Sequence, residues 1–252
     1  MGIGKAFKKV LDFLVPKKQR PTFTSAVIVA GGSSTRMGSV SKQLAEIGGI
    51  PVVVHTLLAF ERTKEIDEII VVAKADEISL YEEFKATYKL TKLKKAVSGG
   101  DTRQHSVEKG FAAISENSNF VAIHDGARCL ITPAEISKVC AEAYKHDAAT
   151  AAVKATDTIK IQDEKGFIKS TPDRDTVWHA QTPQIFFADL YRAAVAVGKQ
   201  DAVSVTDDCS LVEHIDHPIK LVECSKENIK ITTRQDLSFA TAVIKDRVKK
   251  ES

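Results

Sequence analysis

The sequence SAVIVAGGSSTRMG, residues 25–38, predicts a buried β-strand that runs into a glycine-rich turn. Residues 26–30 are continuously apolar, as is typical of a strand that is covered on both faces of a parallel sheet. Glycines after such a strand let backbone N–H groups approach phosphate oxygens, and Arg36 and Lys42 supply positive charge nearby. The turn has neither the lysine pattern of a P-loop nor the glycine spacing of a dinucleotide-binding fingerprint. Taken alone, it fits a phosphate site and an empty turn equally well.

On both sides of this stretch, apolar runs alternate with amphipathic segments. Strands are predicted at residues 26–30, 68–73, 120–123, 150–154 and 220–224. Helices are predicted at residues 51–62, 102–114, 133–146 and 188–197, and from Asp236 onward. Strands separated by helices indicate right-handed βαβ units. The predicted fold class is therefore α/β, with a Rossmann-like, mostly parallel sheet and helices on both faces.

One segment departs from this alternation. Residues 158–162 and 167–171 alternate with period two around a turn at residues 163–166. This pattern predicts a β-hairpin. Because it interrupts an α/β chain, we expect it to project from the domain as an arm over residues 156–175.

Composition and charge narrow the class of protein. The 252 residues are 43 % hydrophobic and 27 % charged, which is ordinary for a globular chain, and no apolar run approaches the length of a membrane span. The four cysteines lack metal-ligand spacing, so we expect small buried thiols in a reducing cytoplasm. Residues 1–20 carry a net charge of +5, which leaves −2 for residues 21–252. A nucleic-acid binder would spread its basic excess over the body, so nucleic acid is excluded as the main partner.

We predict two parts in the chain, a basic amphipathic extension over residues 1–20 and one enzyme domain over residues 21–252. The extension has apolar residues at helical spacing between lysines, and Pro16 ends the pattern. Such a helix either packs on the body or touches an anionic membrane surface, and packing is the preferred interpretation.

Two further strand ends carry polar motifs. The sequence SGGDTRQHSV, residues 98–107, lies at a strand-to-helix junction, where open α/β sheets bind ligands. Asp101 or Thr102 would alternatively act as a helix cap. The sequence HDGAR, residues 124–128, follows an apolar strand, and a carboxylate there suits Mg²⁺. Arg128 either binds a second phosphate or pairs with Asp125 at the surface.

Together, these motifs resemble the 2-C-methyl-D-erythritol 4-phosphate cytidylyltransferase family. The resemblance covers residues 25–242 and rests on ordered blocks: AGGSSTRM with SKQ, GGDTRQHSV, HDGAR, DTIK, DRDTVWHAQTPQIF, TDDCSLVE and NIKITT. It implies transfer of CMP from CTP to a sugar-alcohol phosphate, with Mg²⁺ as cofactor and pyrophosphate as product. An acceptor that is already an anionic phosphate needs no general base, so alignment and cations suffice for this chemistry.

The resemblance also implies a role for individual residues. Catalysis falls to Arg36, Lys42 and Lys230. CTP is bound by Ala30, Gly31, Gly32, Gly100, Asp101 and Ser106. The sugar phosphate is bound by Arg128, Thr158, Arg174 and Thr206, and Mg²⁺ is bound by Asp125. The family's arm crosses to the other subunit, so the resemblance implies a homodimer in which Thr158 and Arg174 serve the partner's site.

Four positions depart from the family's usual pattern. Ser34 stands in place of the loop's last glycine, Ser41 in place of a proline, Gly126 in place of an alanine and Cys129 in place of a proline. None of them removes a charged group, so we expect activity to survive.

Three alternatives remain at this stage. Ribitol-5-phosphate cytidylyltransferase is the nearest, since it shares fold and reaction. A nicotinamide-dependent oxidoreductase would place an acid at the end of the second strand, where this chain has Ala73-Lys74-Ala75. The third alternative is a scaffold that acts at membranes through residues 1–20.

Overall fold

The computed structural model describes residues 21–32 and 42–251. Its strands are β1 Thr24–Val29, β2 Glu46–Ile47, β3 Ile50–Pro51, β4 Glu68–Ala73, β5 Leu93–Ser98, β6 Phe120–Asp125, β7 Ala148–Lys154, β8 Ile161–Gln162, β9 Ile168–Ser170, β10 Trp178–Phe187 and β11 Lys220–Glu223. Its α-helices are α1 Val52–Arg62, α2 Ile78–Thr87, α3 Arg103–Phe111, α4 Pro133–His146, α5 Ala188–Gln200, α6 Asp208–His214 and α7 Arg234–Glu251. None of these helices is long and apolar enough to cross a membrane.

A seven-stranded sheet forms the centre of the domain, in the order β11-β7-β10-β6-β1-β4-β5. Strands β6, β1, β4 and β5 run parallel, and β11 is parallel to β7. Strand β10 is antiparallel to both β6 and β7. The predicted mostly parallel α/β sheet is confirmed.

Helices cover both faces of this sheet, as predicted. Val27 in β1 faces α3, because a Cβ on Gly110 would lie 2.5 Å from its Cγ1. The next residue, Ile28, pairs in register with His124 of β6. Successive side chains of a strand point to opposite faces. The ring of His124, 4.9 Å from that of Phe60, therefore places α1 on the face opposite α3.

Strand β10 was not among the predicted strands. Its first half is polar and partly exposed, and burial becomes continuous only from Gln181. Pro183, whose peptide bond is cis, lies where the pairing with β7 shifts register. A polar, proline-containing segment carries no period-two signal, although tertiary contacts place it at the centre of the sheet.

Strand β5 and helices α2 and α6 also lie outside the predicted segments that were given bounds. Strand β5 contains two exposed lysines and forms an edge of the sheet. Helix α2 buries only Tyr81. Such partly exposed elements need little apolar periodicity, so their segments carry weak sequence signals.

A separate antiparallel hairpin forms from β8 and β9, inside the segments that period-two alternation indicated. Asp163 stabilises its turn, because Oδ1 accepts hydrogen bonds from the backbone N–H groups of Lys165 and Phe167, each at 2.9 Å. Phe167 and Ile168 are 69 % and 67 % exposed. Both strands are shorter than predicted, and the role of this segment as an arm stays a prediction.

Candidate active site

A cleft of about 490 Å³ opens at the carboxyl ends of strands β1, β4, β5 and β6. Eight of the predicted site residues line it: Gly31, Gly32, Lys42, Gly100, Asp101, Ser106, Asp125 and Lys230. Ala30 is buried at the end of β1, where its N–H donates to the carbonyl oxygen of Val72 at 2.7 Å. Arg36, together with Ser34 and Ser41, lies outside the described residues.

The two glycine turns leave no room for larger residues at two positions. A Cβ on Gly31 would lie 3.2 Å from the carbonyl carbon of Ala73, and one on Gly100 would lie 2.5 Å from the Cβ of His105. The backbone N–H of Gly100 donates to Ser106 Oγ at 3.0 Å, which ties the second turn to helix α3. Both turns thus bring bare backbone to the cleft wall.

Thr102, rather than Asp101, caps helix α3. Its Oγ1 accepts a hydrogen bond from the backbone N–H of His105 at 3.1 Å. Asp101 is exposed and lines the cleft. Capping therefore leaves the Asp101 carboxylate available to a ligand.

Asp125, at the end of β6, is 7 % exposed and surrounded by cations. Its Oδ2 lies 2.9 Å from Lys230 Nζ and 3.7 Å from Arg128 Nε. Its Oδ1 lies 3.2 Å from Arg103 Nε. Burial alone raises the pKa of this carboxyl, but the three cations outweigh burial and hold the pKa well below its usual range. Asp125 is therefore a buried carboxylate that stays ionised, which excludes the simple surface pair with Arg128.

A buried hydrogen-bond chain fixes the backbone around Asp125. Its N–H donates to Thr182 Oγ1 at 3.1 Å, and the same Oγ1 lies 3.0 Å from His124 Nδ1. The carbonyl oxygen of Arg128, 3.3 Å from Nε2, can only accept, so the imidazole carries its proton on Nε2 and Nδ1 accepts the hydroxyl proton of Thr182. Burial lowers the pKa of His124 to about 3, and the ring is neutral. This histidine shapes the HDGAR turn and carries no charge.

Arg128 lines a second cavity, of about 350 Å³, beside the first. Its Nη1 donates to the carbonyl oxygen of Asn228 at 2.8 Å. Asn228 is fully buried, and its Nδ2 donates to Gln181 Oε1 and to the carbonyl oxygen of Thr182, each at 3.0 Å. Lys230 lines both cavities and so connects them.

The other three predicted sugar-phosphate residues lie away from both cavities, as far as the described residues define them. Thr158 and Arg174 flank the exposed hairpin, and Arg174 Nη1 donates to the carbonyl oxygen of Thr156 at 3.3 Å. Thr206 is exposed and directly precedes Asp207, the N-cap of α6. A single chain therefore brings together the predicted nucleotide residues and only part of the sugar-phosphate set.

Sequence analysis predicted no role for two of the cations that line the cleft. Arg103 stands in the first turn of α3, and Lys74 follows β4, where its Nζ lies 3.2 Å from Glu77 Oε1. Sequence analysis identified the motif that contains Arg103 but assigned this arginine no role. The signal that could have indicated a role is its position at the start of a helix that faces the cleft. Lys74 occupies the position at which a dinucleotide-binding enzyme has an acid, which excludes that alternative on charge.

The fold and the cleft define a nucleotide-binding α/β protein whose site gathers cations around a buried carboxylate, a composition suited to phosphate chemistry. Comparison with protein families matches residues 24–246 to IspD, described as 2-C-methyl-D-erythritol 4-phosphate cytidylyltransferase. The chain belongs to this family, and the resemblance inferred from its motifs is confirmed. It is accordingly a cytidylyltransferase, within the nucleotidyltransferases.

Individual relatives agree over nearly their whole length. The 2-C-methyl-D-erythritol 4-phosphate cytidylyltransferase of Desulforamulus reducens is 41 % identical over 224 residues, which are 88 % of this chain and 96 % of the relative. That of Syntrophus aciditrophicus is 42 % identical over 87 % of this chain and 95 % of its own. The crystal structure of 4-diphosphocytidyl-2C-methyl-D-erythritol synthase from Anaerococcus prevotii superposes with a TM-score of 0.81 at 35 % identity, covering 89 % of this chain and 96 % of that one.

Proposed function

We propose that this protein transfers CMP from CTP to 2-C-methyl-D-erythritol 4-phosphate, giving 4-diphosphocytidyl-2-C-methyl-D-erythritol and pyrophosphate for isoprenoid synthesis. The observation that carries the proposal is the cleft, in which the two glycine turns, Lys42, Asp125 and Lys230 converge. These groups come from chain segments up to 199 residues apart, between Gly31 and Lys230. Their convergence in a member of this family supports CTP-dependent chemistry at this edge of the sheet.

In this proposal, different groups of the cleft bind the cytidine part and the triphosphate of CTP. The cytidine part lies against Ala30 and the glycine turns, with Asp101 and Ser106 as polar partners. The triphosphate lies towards Lys42 and Arg36, since bare N–H groups and cations stabilise phosphate oxygens.

The acceptor phosphate is placed beside Lys230 and Arg128, in the second cavity. One of its oxygens forms a bond to the α-phosphorus of CTP. The bond from that phosphorus to the oxygen bridging to the β-phosphate breaks, and its electron pair leaves with pyrophosphate. Held cations lower the barrier because they face the charge that builds on the α-phosphate and need no rearrangement when it forms.

A divalent cation is used by enzymes of this family, and we assign Mg²⁺ to Asp125. Within residues 21–32 and 42–251, no cluster of three or more His, Cys, Asp or Glu side chains is placed to hold a metal. The buried, ionised carboxylate of Asp125 nevertheless fits Mg²⁺, since this ion takes one or two protein carboxylates and completes its shell with phosphate oxygens and water. When bound, it supplies charge neutralisation on the triphosphate.

A homodimer completes the sugar-phosphate set in this proposal. Thr158, Arg174 and the exposed apolar side chains of Phe167 and Ile168 lie on one hairpin, away from the cavities of their own chain. We assign this arm to the partner's site. We also place the protein in the cytoplasm, because its four cysteines are buried and unpaired, as a reducing compartment favours.

Pyrophosphate release tests the proposal. Purified protein receives CTP and Mg²⁺ with either 2-C-methyl-D-erythritol 4-phosphate or D-ribitol 5-phosphate, and EDTA-treated samples serve as the metal-free control. We expect turnover with the methylerythritol phosphate and none in EDTA. Preference for ribitol phosphate would keep the reaction and overturn the substrate. If neither acceptor led to pyrophosphate release, the proposed function would be overturned.

A further inference from the structure

We infer that Asp208 is a positioning residue of this site: it holds the Arg103 guanidinium in place, and Arg103 in turn fixes the carboxylate of Asp125. The inference deepens the proposed function and rests on it. Neither Asp208 nor Arg103 belongs to the set of site residues that the family resemblance supplied.

Arg103 bridges two carboxylates from different parts of the chain. Its Nη1 lies 2.8 Å from Asp208 Oδ2, and its Nε lies 3.2 Å from Asp125 Oδ1. The side chain is 27 % exposed and lines the nucleotide cleft. A planar guanidinium bound at both ends has little freedom to rotate. Arg103 is therefore a cation that is held in one position at the cleft wall and does not move with a ligand.

Asp208 is itself immobilised by contacts away from the cleft. Its side chain is 3 % exposed, and its Oδ1 accepts a hydrogen bond from Tyr191 Oη at 2.7 Å. Its backbone N–H donates to Gln184 Oε1 at 2.9 Å, and Gln184 Nε2 donates to Asp207 Oδ2 at 2.7 Å. Strand β10 and helix α5 thus hold the start of α6, and α6 holds Arg103.

The cluster's charges explain why Asp125 needs this second acid. Without Asp208, one carboxylate would face the three cations Arg103, Arg128 and Lys230 alone. With Asp208 present, a second carboxylate balances part of this positive charge, and the held Arg103 contacts Asp125 at Oδ1. The other oxygen of Asp125 faces Lys230, whose side chain is 36 % exposed. Through Arg103, Asp208 therefore orients Oδ1 of Asp125, while Oδ2 faces Lys230 and Arg128.

A double-mutant cycle tests whether Asp208 acts through Arg103. Asp208→Asn, Arg103→Gln and the double variant are compared by kcat/KM for CTP and by calorimetric CTP affinity, and thermal midpoints verify folding. We expect Asp208→Asn to lower kcat/KM by about 10-fold in the wild-type background and by less than about 2-fold in the Arg103→Gln background. Two effects that multiply in full would overturn the inference.

Two further variants keep the test decisive. Tyr191→Phe leaves the ion pair intact and removes only the hydrogen bond to Asp208, so a smaller loss is expected, again absent in the Arg103→Gln background. It replaces Asp208→Asn in the cycle if that variant does not fold. Asp201→Asn is the matched control, because the Asp201 carboxylate lies 2.7 Å from His214 Nε2 at the other end of the same helix and makes no described contact with Arg103 or Asp208. Its effect should multiply with that of Arg103→Gln.

A wild-type protein that neither turns over nor binds CTP would overturn the proposed function, whereas an active one with multiplying effects would overturn this inference alone.

Discussion

Lys42 and Lys230 illustrate how single charges are placed in this site. Lys230 reaches the buried Asp125 carboxylate at 2.9 Å, and Lys42 lies on the same cleft wall. In the sequence, both follow apolar segments, residues 26–30 and 220–224. A cation accelerates the reaction most when it faces the phosphate oxygens on which negative charge develops. Such a cation stabilises the transition state more than the bound substrate and therefore lowers the barrier.

Replacing the proposed transition-state cations should therefore reduce turnover strongly. We expect Lys42→Ala and Arg36→Ala each to lower kcat at least about 100-fold, because each removes a cation from the reacting phosphates. Pyrophosphate release at saturating CTP is the measurement. Lys64→Ala, an exposed lysine ahead of β4 at the other end of the sheet, is the control and should match the wild type. Near-normal kcat in either variant would contradict its assigned role.

Helix α3 is the element on which the nucleotide side of the cleft depends. Its first turns carry Arg103 and Ser106, and its later part packs on the sheet through Gly110. A Cβ on Gly110 would lie 2.5 Å from Val27 Cγ1 and 2.6 Å from Val72 Cγ2. The glycine sets the distance from helix to sheet, and with it the position of the cleft residues.

Gly110→Ala should consequently weaken both folding and CTP binding. Overpacking a core contact costs about 1–3 kcal/mol, which exceeds the gain of at most about 1 kcal/mol from a better helix former. Urea unfolding should show the loss in the free energy of unfolding, and calorimetry should show weaker CTP binding. Gln104→Ala in the same helix has no such clash and should leave both values near wild type. An equally stable Gly110→Ala would show that α3 moves away from the sheet at no cost.

The exposed hairpin connects one chain to the assembly that we propose. Phe167 and Ile168 expose about two thirds of their surface, and Ile161 exposes 47 %. An apolar cluster of this kind, on an element that packs on little else, marks an interaction surface. A second copy of the chain would cover it and receive Arg174 in its cavity.

Subunit mixing tests the exchange of the arm directly. Arg174→Ala and Lys42→Ala should each be almost inactive alone. Mixed after gentle dissociation, they should regain about a quarter of wild-type activity, because half of the dimers are hybrids with one intact site each. Light scattering should show a dimer that Phe167→Asp converts to monomer. A mixture that stays inactive although hybrids form would place Arg174 in the site of its own chain.

The whole molecule also includes the basic residues 1–20, which lie outside the described residues. The family match begins at residue 24, so the reaction should not need this extension. We expect a protein shortened to residues 21–252 to keep kcat and KM within about 2-fold of the full chain. Co-sedimentation of the full chain with anionic vesicles tests contact with a membrane. A large fall in kcat on truncation would assign the extension to the enzyme itself.

Sequence reasoning predicted the elements and residues that depend on local pattern. The strands with continuous apolar runs, the glycine turns after them and the hairpin follow from neighbouring residues, because burial and turn chemistry act over a few positions. The choice between Asp101 and Thr102 as the cap of α3 could not be made in this way. Both residue types cap helices, and only the backbone geometry showed that Thr102 does so.

Local motifs were enough to predict the fold class, the family and three charged residues of the nucleotide cleft, Lys42, Asp125 and Lys230, because a few neighbouring residues record these features. The packing of distant segments was needed to show that strand β10 lies between β6 and β7, and that Arg103 joins Asp125 to Asp208. Arg103 and Asp208 are 105 residues apart, and no local period links them. Their pairing depends on burial, which makes an unpaired charge costly and therefore selects the partner that the packed elements bring within reach.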